Sequence, residues 1–231
     1  MQHVPNLLTG LRLILAAVFF IMLGYYQHDV SGWHGNVLWL NIAFVIYAIA
    51  LFTDFLDGYL ARKWKVESAF GRVVDPFVDK VLVLGSFIFF AGKNFTIPYV
   101  DPSQLPTNVK TITEVVPWMV VVILARELLV TSIRGLFESG GHSFGAMFSG
   151  KLKMVFQSVT ILIVLVYVNY HVGVREKYPS LYEPFHWLLL TSVWGTVIVT
   201  IWSGVLYVQK AIVIYRANMQ APPASEIQAK L

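Results

Sequence analysis

The chain has 231 residues, 57% of them hydrophobic and only 13% charged, with 17 Lys and Arg against 13 Asp and Glu for a formal net charge of +4. That balance lies outside the usual range of soluble globular chains and sets aside a soluble enzyme or a nucleic-acid-binding domain. Cysteine is absent, which excludes disulfide scaffolds, thiolate nucleophiles and sulfur-ligated metals, so any metal must sit on oxygen or imidazole.

Apolar stretches long enough to cross a bilayer, roughly 20 residues each, run near 7–26, 37–60, 73–92, 115–136, 151–171 and 185–213. The fold expected is all-α: a polytopic membrane protein of six transmembrane helices, with one membrane domain over 1–216 and a polar tail over 217–231. The first stretch is followed by Leu23, Gly24, Tyr25, Tyr26 and Gln27 rather than by a small-residue cleavage site, so it is expected to remain in the mature chain. The connectors 27–36 and 93–114 are poor in Lys and Arg or rich in Pro, Thr and Asn, and are expected outside. The connectors 61–72 and 137–150 are basic or Gly-rich and are expected inside. With the amino terminus inside, only Lys93, Lys110, Arg175 and Lys177 of the 17 Lys and Arg fall outside, so both termini are expected in the cytoplasm. The basic inner face suits anionic lipids and anionic substrates. Gly145 to Leu152 matches a phosphate-binding loop up to its last position, where Leu152 replaces the magnesium-holding Ser or Thr; no strand is expected before it, and the match is set aside. Asn94, Phe95 and Thr96 form a glycosylation acceptor by chance.

Four carboxylates interrupt the apolar pattern. On a helix, Asp54, Asp57, Gly58, Ala61 and Arg62 share one face at the inner end of the second span, and Gly71, Asp75 and Asp79 form one stripe at the start of the third. A hairpin over 63–70 would bring the two stripes face to face. Unpaired charges near the membrane interior cost about 3 kcal/mol or more each, so the cluster calls for cations. Oxygen-only ligands favour hard ions, and two divalent cations, Mg2+ or Mn2+, suit four shared carboxylates. Gly58, Ala61 and Gly71 remove side chains where a bulky ligand must approach the backbone, and Arg62 offers a forked donor to phosphate oxygens. A metal-bound pyrophosphate fits that description.

The pattern D-x-x-D-G-x-x-A-R, eight residues, then G-x-x-x-D-x-x-x-D resembles the signature of the CDP-alcohol phosphatidyltransferase family. Asp54, Asp57, Gly58, Ala61, Arg62, Gly71, Asp75 and Asp79 match it without a departure. The resemblance implies six transmembrane helices, a homodimer and a site opening to the cytoplasmic leaflet, in a bacterial inner membrane. It also implies that Asp54, Asp57 and Asp75 are metal ligands and that Asp79 is both a metal neighbour and the general base. Gly58, Ala61, Arg62 and Gly71 would border CDP-diacylglycerol, from which CMP leaves as an alcohol takes the phosphatidyl group.

For the acceptor, two further segments matter: Pro5 to Arg12, and Ala125 to Leu136 followed by Ser149 to Lys153. They resemble the bacterial branch of that family that uses sn-glycerol 3-phosphate. Gly135 is a departure, since relatives often carry a larger polar residue there. The charges agree with a phosphorylated acceptor: Arg126 and Arg134 share a helix face, and Lys151 and Lys153 open the next span, so four cations can converge at the inner surface. Within the family, inositol phosphate is the alternative acceptor. Outside it, a metal-ion or lipid transporter is the competing class, because intramembrane carboxylates also line ion paths.

Overall fold

The computed structural model of the chain describes residues 4–28, 37–64, 69–96, 111–140, 145 and 147–220. These residues form six helices: α1 (Val4–Tyr25), α2 (Val37–Trp64), α3 (Ala69–Phe90), α4 (Pro117–Ser139), α5 (Phe148–Lys177) and α6 (Pro179–Gln220). No strand occurs among the described residues; an isolated bridge joins Thr96 to Thr111 beside a short 3-10 turn, Lys93–Phe95. By length and composition, Val37–Asp54, Phe148–Lys177 and Pro179–Arg216 can cross a membrane, and Thr9–Tyr25 is a shorter apolar helix. Helices α3 and α4 carry charges within their length, among them Asp79 and Lys80 and the pair Arg126 and Glu127. The buried apolar residues form one large cluster and a smaller one around Val130 and Tyr207, yet large side chains such as Ile14, Leu38, Val121, Leu128, Val155, Ile198 and Val213 face outward. Apolar surface on that scale needs an apolar surrounding.

Each helix packs through a stripe set by the 3.6-residue repeat. On α1 the stripe is Thr9, Arg12, Ala16, Phe19 and Leu23, all buried, and it lies against α2 and α3. On α6 it is Leu189, Val193, Thr196, Thr200, Ser203 and Tyr207. On α5 the buried stripe is polar at its start, with Ser149, Lys153, Gln157 and Thr160, and apolar beyond, with Ile161, Val164 and Val168. The polar halves of α5 and α6 meet: Thr160 Oγ1 donates to Ser192 O at 2.9 Å and lies 2.8 Å from Thr196 Oγ1, and Gln157 Nε2 donates to Thr200 Oγ1 at 3.5 Å. Between membrane helices such bonds contribute on the order of 0.6 kcal/mol each, but they set register where lipid and side chain are equally apolar.

At the opposite end, Asn94 Nδ2 donates to Leu23 O (3.1 Å) and Gly24 O (2.8 Å), satisfying carbonyls that the last turn of α1 leaves open. Phe95 is fully buried between Tyr26 and Phe90. The chance glycosylation triplet thus contains a residue whose amide is spent inside the fold.

Element bounds differ from the sequence expectation at several ends. Helix α5 continues to Lys177 and α6 begins at Pro179, leaving only Tyr178 between them where the expected spans stop near 171 and resume near 185. Polarity there marks where the apolar surface stops, not where helical hydrogen bonding stops; Arg175, Glu176 and Lys177 are good helix formers, and Pro179 suits a helix start. Helix α3 begins at Ala69 rather than near Val73, so Pro76 lies inside it. Helix α6 runs to Gln220, past the expected span end at 213. The hairpin turn at 65–68 lies outside the described residues.

Candidate active site

Asp54, in the C-terminal half of α2, and Asp79, in α3, converge on one cation. It is the Arg12 guanidinium of α1, whose NH1 stands 2.9 Å from Asp54 Oδ1 and 2.9 Å from Asp79 Oδ1. Arg12 is 1% exposed, whereas the Asp54 and Asp79 side chains are 37% and 26% exposed. One positive centre therefore sits beneath two carboxylates that stay open on their other side. Asp57, Gly58, Ala61 and Arg62 fall within α2, and Gly71 and Asp75 within α3, but their side chains lie outside the described residues.

Beside this group lies a cavity of about 720 Å³ bounded by α3, α4, α5 and α6. Asp79 lines it, and so do Arg126, Arg134, Lys151 and Lys153. The four cations divide into two kinds. Glu127 Oε1 accepts from Arg126 NH1 at 2.9 Å and from Lys153 Nζ at 2.5 Å, and all three residues are buried. Arg126 NH2 also donates to Ser203 Oγ at 2.6 Å, and the guanidinium lies 5.2 Å from the centre of the Tyr207 ring. A Cβ on Gly204 would come within 3.2 Å of Arg126 Cγ, so the glycine gives the arginine room to lie along α6. Arg126, Glu127 and Lys153 are thus a bonded wall of the cavity, with one net positive charge.

Arg134 and Lys151 differ. Arg134 is half-buried, its Nε has no hydrogen-bond partner among the described residues, and neither it nor Lys151 forms an ion pair there. Lys80, next to Asp79, adds a further cation to the lining and donates to Thr131 Oγ1 at 2.6 Å. These three have donors available to a ligand. The α5 side is narrow because Gly150 faces Tyr207: a Cβ there would stand 2.9 Å from the Tyr207 hydroxyl. That hydroxyl accepts from the Met147 N–H at 3.1 Å and fixes the start of α5.

A sequence profile described as CDP-alcohol phosphatidyltransferase matches residues 2–202 of the chain. The chain belongs to the CDP-alcohol phosphatidyltransferase family. A relative from Cereibacter sphaeroides, a CDP-diacylglycerol–glycerol-3-phosphate 3-phosphatidyltransferase, is 30% identical over 71% of this chain; the chain spans 63% of that relative's length. Relatives of the same name from Haemophilus influenzae and Bacillus subtilis are each 28% identical, over 90% and 91% of this chain and 93% and 95% of their own lengths. The family uses divalent metal ions. The observed donor set suits such an ion: Asp54 and Asp79 supply two anionic oxygens that already converge on a single positive charge.

In the sequence, Arg12 and Lys80 read only as inner-face charges, with Arg12 closing the Pro5 to Arg12 segment, and Glu127 as a partner for nearby cations, while Ser203 and Tyr207 carried no functional reading. The signal for Arg12 was present: it stands in phase with Ala16, Phe19 and Leu23 on the stripe that α1 must bury. Ser203 and Tyr207 continue the α6 stripe in the same way.

Proposed function

We propose that this chain transfers the phosphatidyl group of CDP-diacylglycerol to sn-glycerol 3-phosphate, giving phosphatidylglycerophosphate and CMP. The observation that carries the reading is the shared cavity: Asp79 of the aspartate motif and the unpaired cations Arg134 and Lys151 line the same space of about 720 Å³. A reaction between a nucleotide-activated lipid and a phosphorylated alcohol needs both chemistries side by side.

Asp54, Asp57, Asp75 and Asp79 hold two divalent cations, Mg2+ or Mn2+. These ions supply charge stabilisation at the pyrophosphate oxygens. Arg62 binds phosphate oxygen, and Gly58, Ala61 and Gly71 leave room for the CDP group. Arg134 and Lys151 bind the acceptor phosphate, with Lys80 beside them, while Arg126 and Lys153, tied through Glu127, form the charged wall. The acceptor hydroxyl oxygen forms the new bond to the phosphorus bearing diacylglycerol, the bond from that phosphorus to the CMP oxygen breaks, and Asp79 takes the hydroxyl proton. Holding the acceptor phosphate fixes the hydroxyl near the phosphorus, so the encounter becomes effectively unimolecular.

All six helices span the membrane, both termini face the cytoplasm, and the cavity opens to the cytoplasmic leaflet of a bacterial inner membrane. The outward apolar faces of α1, a shorter apolar helix, and of α4, which carries Arg126, Glu127 and Arg134 within its length, support the six-span reading. The functional unit is a homodimer. The test is CMP release from CDP-diacylglycerol by the purified chain with glycerol 3-phosphate, inositol phosphate, serine or choline in turn. Release with glycerol 3-phosphate above all others is expected. Release with inositol phosphate instead would reassign the acceptor, and no release with any of them, alongside metal flux in vesicles, would overturn the enzyme reading.

A further inference from the structure

Arg12 is in an unusual position for a residue near the inner end of a membrane helix. Long cationic side chains there ordinarily extend toward the interface, yet Arg12 points inward and is 1% exposed. Its place on the buried stripe of α1, one turn from Ala16 and continuous with Phe19 and Leu23, gives it no route to water along its own helix. Its NH1 instead contacts the same class of atom on two helices, Asp54 Oδ1 of α2 and Asp79 Oδ1 of α3, at 2.9 Å each.

We infer that Arg12 is a resident counter-cation of the metal-free site, bridging Asp54 and Asp79 until divalent metal takes their oxygens. This rests on the reading that Asp54 and Asp79 are metal ligands. Two carboxylates that close, with further aspartates on the same helices, repel one another when nothing positive lies between them. A buried guanidinium likewise needs anionic partners. Arg12 NH1 offsets both carboxylates before any ion arrives. The three groups also tie α1, α2 and α3 together at the end where the chemistry occurs.

The exchange sets metal affinity. A divalent ion must displace Arg12 NH1 from one or both Oδ1 atoms or bind beside an uncompensated positive charge, and either lowers its net gain. Arg12 is a positioning residue in this sense: it holds the carboxylates at a separation the metal can use and keeps the empty site from collapsing or splaying.

The experiment uses the full chain in detergent, without nucleotide, titrated with Mn2+ while free Mn2+ is followed by electron paramagnetic resonance, and unfolded thermally with and without the metal. Arg12→Gln should bind Mn2+ at least about tenfold more tightly than wild type, since a unit charge a few ångströms from a divalent ion exerts that much even under strong screening. It should melt lower than wild type without metal and gain more from Mn2+. Arg12→Lys, which keeps the charge, should bind Mn2+ as wild type does. Arginine side-chain nitrogen resonances of the wild-type chain, with Arg12 assigned by its loss in Arg12→Lys, supply a readout that needs no stable Arg12→Gln protein. Mg2+ should shift the Arg12 signals and speed their proton exchange. Wild type that binds Mn2+ while Arg12→Gln binds equally or more weakly, or whose Arg12 resonances ignore Mg2+, overturns the counter-cation role and leaves the metal site standing. Wild type that binds no Mn2+ overturns both.

Discussion

Replacing Arg134 with Ala tests the division of the basic cavity most directly. Arg134 is half-buried on the lining, with no ion pair among the described residues and an Nε lacking a partner. Its removal therefore breaks no bonded network, unlike removal of Arg126, which would release Glu127 and Ser203. The loss should appear only when the ligand is present. A hydrogen bond to a charged group contributes about 1.5–3 kcal/mol, which corresponds to a roughly 10- to 150-fold rise in the apparent KM for glycerol 3-phosphate. The assay is CMP release in mixed micelles at saturating CDP-diacylglycerol with varied acceptor, alongside thermal unfolding of the purified protein. Arg134→Lys should fall between wild type and Arg134→Ala, because a point charge keeps attraction but loses the fork. An unchanged acceptor KM, or an equal rise in KM for CDP-diacylglycerol, would refute the assignment, and a large drop in melting temperature would mean that Arg134 is structural after all.

Glu127→Gln should do the reverse, costing stability of about 3–5 kcal/mol by leaving Arg126 and Lys153 facing each other in a buried wall; melting in detergent reads the loss, and an unshifted transition would dismantle the wall described here. Asp54→Asn, Asp57→Asn and Asp75→Asn should each remove most CMP release together with Mn2+ affinity, while Asp79→Asn should keep at least one metal and bind CDP-diacylglycerol yet turn over almost none. Substantial turnover in Asp79→Asn, or full rescue by excess metal, makes Asp79 a ligand and not the base. Gly150→Ala should push on the buried Tyr207 hydroxyl, 2.9 Å from the new Cβ, at a cost of about 1–3 kcal/mol; an unaltered melting temperature would show that Tyr207 gives way freely.

The sequence carried the helical class and the approximate positions of the six helices, because both depend on a short-range repeat. What it could not carry depends on which helices touch. Asp54 and Asp79 stand on consecutive helices, yet what joins them among the described residues is Arg12, from a third helix. Only the packing of α1 into the groove between α2 and α3 makes that visible. The four cations expected at the acceptor line one cavity, since helix spacing puts Arg126 and Arg134 on one side of α4. Their inequivalence turns on Glu127, which bonds Arg126 and Lys153 and not the other two, and for Arg126 also on Ser203 and Tyr207, well along α6 in a stretch that reads as apolar. The join between α5 and α6 was misjudged because hydropathy reports the edge of the oil and not the end of a helix.

Thr160, Gln157, Ser192, Thr196 and Thr200 bond in one register along the seam between α5 and α6, and slipping α6 by a turn would break these contacts together while moving Ser203 and Tyr207 away from Arg126. The uncharged seam therefore fixes the position of a charged wall a turn or more away, so a substitution at Thr196 or Thr200 reaches Arg126 without touching it.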